Sequence, residues 1–115
     1  MPIKDVEIDY VAGEITVDPD PVECTVPKPA DEGEKKPPPV KIRWHAKSKE
    51  TVKDWRVIFG TYAPVHDKSK VANPEKNTLT LVRRRPEDLG HWKYVVVALT
   101  PDGMRDKDPE MIVDD

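Results

Sequence analysis

Gly90-His91-Trp92-Lys93-Tyr94-Val95-Val96-Val97-Ala98-Leu99 is the stretch that decides the fold. Aromatic and β-branched residues dominate it, and these suit a pleated, packed surface. A glycine opens it, and Pro101-Asp102-Gly103 ends it with turn chemistry. Trp92 to Leu99 is the strongest strand in the chain.

Shorter strands surround it, and most alternate strictly. Val6, Ile8 and Tyr10 share one parity while Asp5, Glu7 and Asp9 share the other. Period two buries one face and wets the other, as in an antiparallel strand. Ala12-Gly13 interrupts the pattern, which resumes at Ile15 and Val17. Asp18-Pro19-Asp20-Pro21 is a bend, because each proline forces its predecessor to extend and donates no ladder hydrogen bond. Val22, Cys24 and Val26 alternate again, as do Val40, Ile42 and Trp44 against Lys41, Arg43 and His45. Trp55, Val57 and Phe59 follow, with Ile58 on the opposite face pointing to partial cover there too. Leu79 and Leu81 stay in phase within Thr78–Val82, and Met111-Ile112-Val113 forms a short last strand. No segment resembles a helix of ordinary length. The expected fold is all-β, a small Greek-key sandwich of about seven to eight strands formed by residues 1–115 as one domain.

Two connections stand out. Residues 27–39 read PKPADEGEKKPPP, with five prolines and no apolar side chain larger than alanine, so an exposed loop or arm is expected. Pro37, Pro38 and Pro39 make it a candidate partner-binding arm, although they lack a paired PxxP motif. Gly60 to Asn77 is long for a compact domain, and long connections are often functional. Where a sandwich self-assembles through exposed edges, the first or last strand is the expected edge.

The totals exclude several classes. The chain has 115 residues, 37% hydrophobic and 36% charged, with a formal net charge of −3. No apolar run approaches the ~20 residues of a membrane-crossing helix. The N-terminus lacks the basic start and apolar stretch of a secretory signal, so a cytoplasmic location is the default. Cys24 is the sole cysteine and reads as an inert core residue. Charge is segregated: residues 1–34 carry −8, residues 35–100 carry +9 and residues 101–115 carry −4. Side-by-side pairing of acidic and basic strands accounts for such a pattern, and an acidic partner for the middle segment is the alternative.

Gly90, Trp92 and Tyr94, followed by Gly103-Met104, resemble the C-terminal signature of the cupredoxins, the blue-copper fold. The resemblance spans residues 14–113 in pattern, with the proline-rich arm as an insertion before Val40. It implies a Greek-key sandwich, and it also places the copper ligands. The cysteine position is occupied by Val96, one histidine position by Leu99 and the other by Trp55, leaving Met104 alone in its axial place. A type 1 copper site needs two imidazoles and a thiolate. The resemblance therefore implies the scaffold without the metal or its electron transfer, and no cofactor is expected. Asp88-Leu89-Gly90-His91-Trp92-Lys93-Tyr94 is also similar to the immunoglobulin run Asp-x-Gly-x-Tyr-x-Cys, with Trp92 for the tyrosine and Tyr94 for the cysteine. Either family is a sandwich, and neither fixes a function.

Candidate chemistry is sparse. His45, His66 and His91 form no local chelating spacing, so a metal site built from them and Met104 needs separate segments to converge. There is no nucleophile elbow, phosphate-binding glycine loop or dinucleotide fingerprint, and no enzyme is expected. Arg83, Arg84 and Arg85 are candidate polyanion-binding residues. In a strand, however, Arg83 and Arg85 share one face and Arg84 takes the other. The aromatics lie at core parity, unavailable for stacking on bases, and the pI is near 5.6. The expected role is a non-enzymatic, metal-free module that binds a protein partner or itself, without nucleic acid or membrane.

Overall fold

The computed structural model describes residues 3–115. Ten strands follow one another: β1 (Ile3–Val11), β2 (Glu14–Asp18), β3 (Val22–Thr25), β4 (Val40–Ala46), β5 (Asp54–Phe59), β6 (Val71–Ala72), β7 (Thr78–Leu81), β8 (Gly90–Thr100), β9 (Gly103–Lys107) and β10 (Glu110–Asp114). No α-helix occurs among the described residues; Pro86–Asp88 makes one 3-10 turn. The first sheet runs β2-β1-β4-β7. The second runs β3-β10-β8-β5-β6, with β9 also on β8. Together they form an all-β sandwich. β1 pairs parallel with β4 and β3 parallel with β10, while the other pairings are antiparallel.

The prolines at 19 and 21 explain how the chain changes sheets. A strand carrying them cannot continue a ladder, so β2 ends in the first sheet and β3 begins in the second. Asp20 secures the corner by accepting a hydrogen bond from the Glu110 amide at 2.9 Å. The Ala12-Gly13 hairpin needs left-handed backbone at both residues, φ 54° and 83°, which glycine adopts freely and alanine at some strain.

The core lies between the sheets and follows the alternation closely. Val6, Ile8, Ile15, Val17, Ile42 and Trp44 are buried from one side; Cys24, Val57, Tyr94, Val96 and Met111 are buried from the other. At its centre Trp44 of the first sheet reaches Phe59 and Tyr94 of the second, at ring-centroid distances of 6.0 and 5.9 Å. Phe59 and Tyr94 stack at 4.8 Å. Burial pushes the Tyr94 hydroxyl up to about 12, and the facing Trp44 ring nitrogen only partly opposes that shift. Neither the Tyr94 hydroxyl nor the Trp44 ring nitrogen has a hydrogen-bond partner among the described residues. Burial likewise pushes the Cys24 thiol up to about 11. Cys24 is therefore expected to resist a disulfide reagent at pH 8 in the folded chain and to react fully once unfolded. Native labelling at the rate of an exposed thiol would contradict this packing.

The strand count and two positional expectations need correction. Ten strands form instead of seven or eight because β6 has two residues and β9 has no buried residue. Neither carries a period-two signal. The first and last strands are also not edges. β1 lies between β2 and β4, and β10 between β3 and β8. The acidic and basic segments do pair: parallel register sets Asp5 beside Arg43 and Glu7 beside His45. The Arg43 guanidinium lies 2.7 Å from the Asp5 carboxylate and holds its pKa below the usual value.

Candidate functional site

The histidines do not converge. His45 stands exposed on the outer face of the first sheet, 3.6 Å from Glu7. His91 stands exposed on the second sheet, with Nδ1 3.0 Å from Glu110. The thickness of the sandwich separates them. His66 lies in the connection after β5 and meets Arg84 at 3.4 Å. Met104 is on β9, with its side chain largely in solvent. Among the described residues, no group of three or more His, Cys, Asp and Glu side chains is placed to hold a metal.

The positions that the cupredoxin resemblance assigns to copper can be compared with this geometry. Trp55, Leu99 and Met104 line one shallow hollow of 100 Å³ on the second sheet. Val96 is fully buried between the sheets, because its parity on β8 is opposite to that of Leu99. Trp55, paired with buried Ala98, projects between the sheets like Val96. Only Leu99 and the Met104 thioether share the outer face, and these do not fit copper, which needs nitrogen and thiolate donors.

Two members of the arginine cluster are engaged internally. Arg83 is nine-tenths buried, and its guanidinium donates to Asp115 at 2.6 Å. Arg85 donates to Asp88 through Nη2 at 2.8 Å and Nε at 3.2 Å, and to the Tyr62 carbonyl at 3.1 Å. Asp88 also accepts the backbone amides of Arg84 and Arg85 at 2.8 and 3.0 Å, so one buried carboxylate ties the whole turn. Burial raises the Asp88 pKa; the amide and guanidinium hydrogen bonds outweigh it and hold the carboxyl below its usual value. Arg84 is exposed, with its guanidinium 3.4 Å from His66 Nδ1.

The proline-rich arm is irregular and almost wholly exposed. Its two ends come together. Pro27–Pro29 and Pro37–Pro39 line a cleft of 270 Å³ against Leu81, Val82, Arg83 and Arg84. The Gly60–Asn77 connection is built into the fold. Val65 bridges to Leu81, the His66 amide donates to the Thr80 carbonyl at 2.8 Å, and Asp67 accepts the Thr80 amide at 2.9 Å. It covers the edge that β7 would otherwise expose.

The surface that sequence reasoning did not single out is the outer face of the second sheet. Val95, Val97 and Leu99 form a column down β8, opposite in parity to the buried Tyr94, Val96 and Ala98. Ile58 stands beside Val95 and Met104 beside Leu99. Ile58, Leu99 and Met104 are 41%, 39% and 59% exposed. The signal was present in the unbroken apolar run of Val95 to Leu99, which supplies both faces of a strand at once. Compared with protein-family models and with curated proteins, the chain matches none.

Proposed function

We propose that this domain is a non-enzymatic binding and assembly module, acting in the cytoplasm on a metal-free cupredoxin-like scaffold, and that it engages protein through the outer face of its second sheet. One observation carries this reading: Val95, Val97 and Leu99 form an apolar column on the outer face of β8, the two valines half-buried and Leu99 exposed, with exposed Ile58 and Met104 at its flanks. Contiguous apolar surface rimmed by charge marks interaction sites, whereas scattered exposed hydrophobics do not. The scaffold part of the reading is supported by Trp92 and Tyr94 lying in phase along β8. A polyanion site at Arg83–Arg85 has less support, because Asp115 and Asp88 already engage two of the three guanidiniums. No helix among the described residues is long and apolar enough to cross a membrane.

Affinity capture from the native cells with three baits tests the reading: wild type, Val97→Glu, and a deletion of residues 27–39. Proteins held by the wild type, a co-expressed second copy included, are expected to be lost with Val97→Glu and kept with the deletion. A Val97→Glu bait of native circular dichroism that retains every partner rules this face out. Loss with the deletion alone transfers the role to the arm.

A further inference from the structure

We infer that the protein fitted by this face is a second copy of the same chain, packed sheet to sheet about a two-fold axis that runs along β8; this rests on the binding reading above. One rung of the sheet carries a self-complementary order of charge. Val97 lies directly between Arg56 on β5 and Asp106 on β9, and paired residues of neighbouring strands project from the same face. The rung therefore reads positive, apolar, negative across the column. Arg56 and Asp106 are both exposed. Arg56 contacts Asp54 at 2.9 Å, while Asp106 has no ion pair among the described residues.

A two-fold axis in the plane of the interface and parallel to β8 keeps each rung at its own height and exchanges left with right. Val95, Val97 and Leu99 then meet their own copies, and β5 of one chain lies over β9 of the other. Arg56 of each copy stands over Asp106 of the other, so the interface gains two ion pairs around an apolar centre. Turning the second copy instead about an axis across the strands at Val97 would set Arg56 on Arg56 and Asp106 on Asp106. The charge order thus selects the first arrangement, as isologous pairing requires of a self-complementary patch. Aligned packing of two such faces at about 10 Å lets these side chains interdigitate. Like-charge juxtaposition is also what suppresses wrong pairings.

Sedimentation velocity and equilibrium between about 1 μM and 1 mM test this. Four chains are compared: wild type, Val97→Glu, Asp106→Arg, and the exchange Arg56→Asp with Asp106→Arg. All three substituted positions lie on the outer face of the sheet, and circular dichroism checks each fold. The wild type is expected to dimerise. Asp106→Arg sets guanidinium against guanidinium and is expected to raise the dimer Kd at least ~10-fold, and the charge exchange to recover most of that loss. A wild type that stays monomeric at 1 mM overturns the second-copy inference and leaves the face to the capture experiment. Dimerisation insensitive to Val97→Glu places the dimer elsewhere, overturns the second-copy inference and likewise leaves the face to the capture experiment. A dimer weakened by Val97→Glu but not by Asp106→Arg keeps the face and overturns the axis along β8.

Discussion

Trp44→Ala is expected to destabilise the domain by about 3–5 kcal/mol, read as a lower midpoint in urea with the transition still cooperative. Trp44 is fully buried and is the side chain by which the first sheet reaches the Phe59–Tyr94 stack of the second. Truncating it removes the transfer free energy of a large aromatic and leaves a cavity between two sheets whose backbones are held apart by their own ladders. A domain of this size has roughly 5–15 kcal/mol in total, so the variant approaches the threshold of folding. Trp44→Phe keeps a ring in place and is expected to lose distinctly less. Tyr94→Phe provides the contrast within the same cluster. It removes a buried hydroxyl that has no partner, and is expected to be neutral or slightly stabilising. A loss under ~1 kcal/mol for Trp44→Ala would mean that the sheets do not meet where the alternation and the aromatic cluster place their contact.

Asp88→Ala is expected to cost about 3 kcal/mol, the second largest single effect. The Asp88 carboxylate is 3% exposed on its side chain and accepts two backbone amides and two guanidinium donors. Its removal leaves the Arg84 and Arg85 amides without acceptors and releases the turn that feeds β8. Asp88→Asn keeps the shape and one acceptor oxygen but not the charge, so an intermediate loss is expected. The same group contributes to acid sensitivity. Its folded pKa lies below the ordinary carboxylate value, so the stability it provides is complete above the unfolded pKa of about 3.9 and is lost as pH falls through the folded value. Asp67 behaves alike: hydrogen bonds from the Thr80 amide and Lys76 outweigh its burial. Unfolding free energy should therefore fall below about pH 4, and Asp88→Asn should show a shallower fall there. Equal acid slopes for the two chains would remove Asp88 from the account.

Much of the fold was legible because β alternation is a local property. Val40, Ile42 and Trp44 had to face the core together, since any shift by one residue would have buried Lys41, Arg43 and His45. The turn at Ala12-Gly13, the corner at the prolines and the exposed loop at residues 27–39 each carried their own chemistry. β9 was illegible for the complementary reason: Met104, Arg105, Asp106 and Lys107 bury nothing, and only hydrogen bonds to β8 make them a strand. The candidate surface fell between these cases. Its apolar run was visible, but whether the outer parity of β8 would be covered depends on which elements fold over it.

The amino-acid sequence by itself determined the class of fold and the inward face of each long strand, because a period of two assigns every side chain to a side without reference to any neighbour. Tertiary structure alone decided the neighbours. It set β1 parallel to β4 so that Asp5 meets Arg43, brought Asp115 back to Arg83 from the far end of the chain, and placed Arg56 and Asp106 on either side of Val97. Such relations join residues distant in the chain, and periodicity fixes which face a residue shares but not which strand lies beside it.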